Sequence, residues 1–469
     1  MDGRPPSALA QALAHNLLAY QSFEPGVSNE YPIRSMAQLP PLPLQWQGPE
    51  HRFWSKRTDR SGWVEEVQIG KPRHVLILVE NLPVPFDRRV WQEALALQSA
   101  GHVVSVICPK GKGFNDSYEL RDGVHIYRHD LVEATSAKGY PAEYITALVH
   151  QLRLSLAVRR RQRIDVIQAC NPPDLMFLIA LFHRLLFGTR FLFDHHDLSP
   201  ELYFSRFGRK DALYWVLGLL EKLTFRVADA SIATNETFRD IAIARGNMPA
   251  DRVFVVKSYP DPAKTHRHTP EPALVDDGKY IVGYVGIMGA QDGVEMLVRA
   301  MDHIIYARGR NDIKAVLVGD GPEYERLRAL AETLRLGDAL QFTGYLSGPT
   351  MMRHLSAFDI GVIPDPPNGC NEKLSMNKVF EYMMLGIPFV QFDLAQARRE
   401  AGDAALVTMR HSAAALADSI IALADDSTRR RQMAKTARAI AGRDFQWSTQ
   451  ATRYLAAIDS IFTAEDVPT

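Results

Sequence analysis

Residues 73–109 read RHVLILVENLPVPFDRRVWQEALALQSAGHVVSVICP, and this stretch decides the fold. RHVLILVE is a short apolar run, the mark of a buried strand. FDRRVWQEALALQSAG carries its apolar residues at helical spacing and is closed by Gly101. HVVSVICP is a second buried run. Strand, helix, strand in this order is a parallel βαβ unit.

The alternation continues outward from there. VHIYRH is followed by a long helical segment, EYITALVHQLRLSLAVRRRQR. DVIQAC, TRFLFDHH, ASIATN and VFVVKS are further short strands between helical stretches. Residues 261–279 are rich in Pro and charge and have no period, so they read as a linker. A second alternation then runs through YIVGYVG, KAVLVGDG, LQFTGY, DIGVIP and PFVQFDL. The expected architecture is α/β, with two Rossmann-like, doubly wound domains at 71–260 and 280–445 facing a central cleft. Residues 446–469 are expected to form a helix crossing back to the first domain. Residues 1–70 are Pro-rich and aperiodic and read as an N-terminal extension. Sheets of this kind bind ligands at the carboxyl ends of their strands.

A length of 469 residues suits two domains plus an extension. Formal net charge is zero, from 54 basic and 54 acidic residues, which argues against a nucleic-acid partner. Cys108, Cys170 and Cys370 are far apart and fit a structural role in a reducing cytoplasm. The chain does not open on a basic end followed by an apolar run, as a secretory signal would. The longest apolar run, residues 175–182, falls short of the roughly 20 residues that span a bilayer. A cytoplasmic protein, at most peripheral to the inner face of a membrane, is expected. Arg153, Arg159, Arg160, Arg161 and Arg163 lie among leucines, and LYWVLGLLEKLTFR follows. Such helices suit an anionic lipid surface, and equally a packed helix with a solvated end.

Three strand exits of the second domain carry candidate chemistry. Gly286 and Gly289, with Met288 between them, follow a buried strand and open a helix. Backbone amides in such a turn can approach a phosphate, although a plain tight turn gives the same pattern. Asp320 sits in a second exit, VGDGPEYERL, and Tyr345 in a third, FTGYLS. The segment SMNKVFEYMMLG is the most informative. Amides of Asn377, Lys378 and Val379 at a helix start can hold a diphosphate, and Lys378 adds charge. Glu381, one turn in, can accept two hydrogen bonds from ribose hydroxyls. An acidic residue stabilising the helix dipole is the bland alternative.

In the first domain, DHHD ends a strand with His196 and Asp197. Histidine there can hydrogen-bond a phosphate or a sugar hydroxyl, and the spacing lacks the further ligands a metal site needs. Asn171 and Asp174 in NPPDL exit another strand, where a turn with a helix cap is the alternative. Asp87, Arg88 and Arg89 open the first helix.

YVGIMGAQDGVE, VGDGPEYERLRALA, QFTGYLS, DIGVIPDP and MNKVFEYMMLGIPFVQFD resemble, in this order, the C-terminal domain of family 4 glycosyltransferases, which have the GT-B fold. VENLPVPFDRRVWQEALALQSAGHVVSVICPKG, NPPDL and DHHDLSPELYFSRF resemble the N-terminal domain of a bacterial branch that builds surface polysaccharides. The resemblance implies transfer of a sugar from a nucleotide-diphosphate donor, usually uridine-linked, with retention and without an essential metal or other cofactor. The implied acceptor is a polysaccharide or a lipid-linked glycan. Carried over residue by residue, Glu381 would bind the ribose. Asn377, Lys378 and Val379 would hold the diphosphate, with Gly286, Met288, Gly289 and Asp320 beside it and Tyr345 near the base. His196 and Asp197 would be catalytic. Asp87, Arg88, Arg89, Asn171 and Asp174 would face the acceptor, the first three where the family places an acceptor or diphosphate loop. Two departures stand out. Lys373 occupies the place of the first glutamate of the family's pair, and residues 287–292 lack the family's basic pair. They keep open a non-catalytic subunit that binds nucleotide sugar, and a nucleotide-sugar epimerase of the same fold is the alternative among enzymes.

Overall fold

The structure, a computed structural model, describes residues 71–131, 140–275 and 278–462. The expected extension at 1–70 lies outside the described residues. Eight strands form the first sheet: β1 (His74–Leu78), β2 (Val103–Pro109), β3 (Tyr118–Arg121), β4 (Val124–His129), β5 (Val166–Cys170), β6 (Arg190–His195), β7 (Ala230–Ala233) and β8 (Val253–Val255). Their order is β3-β4-β2-β1-β5-β6-β7-β8. Only the β3–β4 pair is antiparallel. The second sheet holds β9 (Tyr280–Val285), β10 (Ile313–Val318), β11 (Leu340–Gly344), β12 (Ile360–Ile363), β13 (Phe389–Phe392) and β14 (Ala405–Thr408). Its order is β11-β10-β9-β12-β13-β14, with every pair parallel. The chain forms the two doubly wound sheets that the alternation implies.

Central strands such as β1 are buried along their whole length, because helices cover both faces of a parallel sheet. Two edge strands escape the sequence reading. YELR and ALVT are four-residue edge strands that are only partly buried, so neither stands out as a long apolar run. In β3, the Glu119 carboxylate accepts from Arg128 at 2.7 Å, a cross-strand tie that no local pattern announces.

The chain passes between the domains twice. After β8 it runs to Tyr259, whose ring stacks on Phe445 at 4.5 Å and meets Phe380 edge-on at 5.0 Å. Arg267 then donates to the carbonyls of Leu385 and Ser356, which holds the connecting segment to the second domain. Past Phe445, the helix Trp447–Ser460 returns to the first domain. Its Tyr454, Ala457 and Ile458 join the core that contains Val75, Ile77, Val104 and Val106. Tyr454 donates its hydroxyl hydrogen to buried Gln168 of β5.

Candidate active site

The strand exits of the second sheet are knitted together. The Met288 amide donates to the Asp320 carbonyl at 2.9 Å, and the Glu323 amide to the Met288 carbonyl at 2.9 Å. The Gly319 amide donates to the Gly344 carbonyl at 3.0 Å. Asn371 donates its side-chain amide to the Gln291 and Pro366 carbonyls, both at 3.0 Å. Gly319 has φ +138°, and a Cβ there would lie 1.9 Å from the Gly286 carbonyl oxygen, so only glycine fits. The turns after β9, β10 and β11 and the loop after β12 thus form one continuous rim.

The helix Asn377–Leu385 starts at that rim and ends at Gly386 in the left-handed conformation. Glu381 is 5% exposed and accepts from Arg88 Nη2 of the opposite domain at 3.2 Å. Asn377 is exposed at the first helical position. Val379 is buried, and its amide is bound to the Met376 carbonyl at 3.0 Å. Tyr345 is half-exposed just beyond β11, and the Asp320 carboxylate accepts from the Gly321 amide at 2.7 Å. Gly286 lies against Gly319, as described.

Several expected roles change. Lys378 does not reach out for a phosphate. Its amine is buried and donates to both carboxylate oxygens of Asp365, at 3.0 and 2.7 Å, with Asp292 at 3.8 Å. Burial opposes its charge, but Asp365 and then Asp292 outweigh that, and its pKa stands above the ordinary value. Met288 is fully buried, with its amide and carbonyl both used within the rim. Gly289 gives its amide to the Asp292 carboxylate at 3.1 Å. Neither presents an amide to a ligand.

On the first domain, Asp87 caps the helix Arg88–Ser99 by accepting from the Val90 amide at 3.1 Å. Arg89 is turned inward, away from any acceptor. It pairs with Asp194 at 2.8 Å and with Glu93 at 3.1 Å, and donates to the Val256 carbonyl at 2.7 Å and the Ser258 hydroxyl at 3.0 Å. Burial alone would raise the Asp194 carboxyl, yet Arg89 and then His196 hold it well below the usual carboxylate range. His196 Nε2 lies 2.6 Å from Asp194 Oδ2, and the ring remains partly exposed. Asn171 and Asp174 are buried beneath this turn instead of facing an acceptor. Asn171 Oδ1 accepts the amides of His196 at 2.7 Å and Asp197 at 3.1 Å, and its Nδ2 donates to Asp174 at 3.1 Å. Burial pushes Asp174 up to about 6, against the hydroxyl that Ser199 donates to it.

Cys170, Asp194 and His196 hold ligand atoms within 4.8 Å of one another. The Arg89 guanidinium already meets Asp194 there, and burial and then Asp194 push the Cys170 thiol well above its ordinary value. A protonated thiol beside a guanidinium is a poor cation site. A cavity of about 380 Å³ lined by Thr408, Arg410, Ser412 and Asp418 lies at the outer edge of the second sheet, apart from these residues.

Ties across the cleft were not visible in the sequence. Besides Arg88–Glu381, Lys373 pairs with Glu201 at 2.9 Å, and Lys257 with Glu400 at 3.3 Å. Asn235 donates to the Lys373 carbonyl at 2.9 Å and the Ser375 hydroxyl at 3.0 Å. Glu201 also accepts from Arg245 at 2.8 Å. Lys373, in place of the first glutamate of the pair, thus faces a carboxylate from the opposite domain.

Comparison with known proteins agrees with this architecture. Residues 87–258 match the glycosyl transferase 4-like domain, and residues 279–426 match the glycosyl transferases group 1 domain. The 2-deoxystreptamine N-acetyl-D-glucosaminyltransferase of Streptomyces fradiae is 26% identical over 315 residues, 64% of this chain and 71% of that protein. Among solved structures, sucrose-phosphate synthase from Thermosynechococcus elongatus superposes with a TM-score of 0.68 at 18% identity, covering 83% of this chain and 99% of that one. Anabaena HepE in complex with UDP-glucose gives 0.60 at 15% identity, covering 82% and 99%. The chain belongs to the family 4 glycosyltransferases of GT-B fold. It is a glycosyltransferase, and the epimerase and non-catalytic readings give way to that membership.

Asp174 has a testable signature. Its folded pKa is raised from 3.8 to about 6, so the folded state holds a proton that the unfolded chain loses first. Its contribution to stability is therefore present below about pH 4 and lost as pH rises through about 6, by up to roughly 3 kcal/mol. Asp174→Asn lacks this loss. In urea unfolding, the stability of the variant minus that of the parent should increase between pH 4 and 7; a constant difference contradicts the assignment.

Proposed function

We propose that the enzyme transfers a hexosyl or acetamido-hexosyl unit from a nucleotide-diphosphate sugar to a polysaccharide or lipid-linked acceptor, with retention at the anomeric carbon. The observation that carries the donor reading is Glu381, a buried carboxylate one turn inside a helix that starts at the glycine rim. A carboxylate so placed suits two adjacent hydroxyls, and the exposed start of the helix beside it suits a phosphate. HepE, solved with UDP-glucose, supports uridine as the base, and the Streptomyces fradiae relative supports an acetamido sugar. His196 and Asp197, at the exit of β6, are the catalytic groups of this reading, with Arg88 and Asp87 at the adjoining helix start. The resemblance supports retention.

No resident metal enters the reaction as proposed. Asp365 and Asp292 are engaged by Lys378, and Asp320 by its neighbouring amide. Turnover in chelator should match turnover without it, and NMR should find the donor's anomeric configuration in the product. Activity that is lost in chelator and restored by manganese, or an inverted product, contradicts the proposal.

We also propose that the enzyme works at the cytoplasmic face of an anionic membrane. Among the described residues, no helix is long and apolar enough to cross one. The helices Tyr140–Arg161, Phe177–Phe187 and Ala212–Val227 lie side by side on the first domain. They expose Ile145, Val149, Leu185, Leu186, Trp215 and Leu219, with Arg153, Arg160, Lys222 and Arg226 among them. Their described side chains include one carboxylate, Glu221, which is buried against Arg245. Apolar and basic groups, with no exposed acid among the described side chains, match an anionic lipid surface. Arg159 packs over the Phe187 ring, so it is a poorer lipid contact than the sequence suggested. Reversing Arg153, Arg160, Lys222 and Arg226 to Glu should release the protein from anionic vesicles, each basic group being worth about 1 kcal/mol near such a surface. Unchanged co-sedimentation refutes the assignment.

The donor reading is tested at Glu381. Glu381→Gln keeps the shape and removes the charge. Hydrogen bonds to charged groups are worth about 1.5–3 kcal/mol, so donor affinity should fall by roughly 10- to 150-fold in calorimetry. Undiminished donor binding by the folded variant contradicts the role.

A further inference from the structure

We propose that Arg88, delivered from the first domain, is the cation that receives the donor's diphosphate. The inference rests on the donor reading above and assigns a group that reading leaves open.

A nucleotide diphosphate brings two or more negative charges to the rim, and the second domain does not match them. Residues 286–293 contain no Lys or Arg. Lys378 is the nearest cation along the helix Asn377–Leu385, and it is already spent. One ammonium sits between the carboxylates of Asp365 and Asp292, 9% exposed, and the trio carries a net charge of −1. Two rim amides are likewise used, those of Met288 and Gly289. The rim offers little countercharge of its own, so a cation has to come from elsewhere.

Arg88 is in the right place and in the right state. It is the first residue of the helix Arg88–Ser99, directly after the Asp87 cap, and its side chain reaches across to the second domain. Its side chain is 62% exposed, while its Nη2 reaches 3.2 Å from Glu381 Oε1. One of its five N–H groups is committed there, and no other side-chain bond is described for it. Its neighbour Arg89 is locked into the core and cannot substitute. A guanidinium fork matches two phosphate oxygens at once, which an ammonium does not.

Glu381 and Arg88 neutralise each other in the free protein. When ribose hydroxyls take the Glu381 oxygens, Arg88 turns to the phosphates a short distance away. In the transfer, the bond between the anomeric carbon and the phosphate oxygen breaks, and its electron pair leaves on that oxygen. The acceptor hydroxyl oxygen bonds to the carbon, and its proton passes to the departing phosphate. Arg88 meets the charge that grows on the leaving oxygen, so its contribution is larger in the transition state than in the bound donor.

The test compares UDP with uridine in calorimetry, using the full chain and three variants. Arg88→Gln should weaken UDP binding by roughly 10- to 100-fold and lower kcat, while uridine binding stays unchanged or tightens as Glu381 loses its competitor. Arg88→Lys should recover part of the UDP affinity. Glu381→Gln should weaken both ligands alike. If Arg88→Gln binds UDP like the parent and keeps its kcat, Arg88 has no such role. If it loses uridine as strongly as UDP, Arg88 is only a clamp between the domains. A parent that binds neither UDP nor uridine, nor another nucleoside and its diphosphate, overturns the donor reading itself.

Discussion

A guanidinium taken out of water costs several kcal/mol unless acceptors surround it, and Arg89 is surrounded. Asp194, Glu93, the Val256 carbonyl and the Ser258 hydroxyl come from three segments of the first domain. They converge on one charge, so the first helix, β6 and the exit of β8 keep one arrangement. The ionised Asp194 in turn holds the His196 ring at 2.6 Å, and Asn171 holds the backbone behind it. Glu93 sits in the same cluster, where burial and then Asp194 push its pKa well above the ordinary value. Gln168 links it to Tyr454 of the returning helix. The wall of the cleft and the tail of the chain therefore depend on the same buried pair.

The second domain solves a similar problem with backbone. Its rim consists of turns whose amides and carbonyls satisfy one another, with glycines where two backbones touch. Lys378 and Asp365 are its buried pair, and they fasten the helix Asn377–Leu385 to the exit of β12. A rim fastened in this way is preorganised, and an incoming ligand does not have to order it.

Much of the architecture could be read from the sequence, because helix and strand periods are local. The apolar runs at β1, β2, β5, β9 and β10 announce a parallel sheet without any partner being known. The strand exits could be located for the same reason. What each side chain does there could not. Lys378 looked like a phosphate ligand because its partner Asp365 lies 13 residues away, across a loop. A carboxylate leaving an apolar strand in VIPDP was the available signal. Arg89 and Arg88 are adjacent and alike in sequence, yet one is buried and the other bridges the cleft. The helix turns them in different directions, and their partners Asp194 and Glu381 lie 105 and 293 residues away. Lys373 illustrates the same limit, since its partner Glu201 is 172 residues off.

The stack of Tyr259 on Phe445 joins the outgoing and the returning chain. Two bodies tethered by one strand can swivel about it in any direction. Two crossings pinned side by side act as a door hinge, which leaves one easy rotation and resists twist. Opening along that rotation would part Arg88 from Glu381 and Lys373 from Glu201 in step, because each pair has one member on either leaf. The same rotation run backwards returns each side chain to the partner it left.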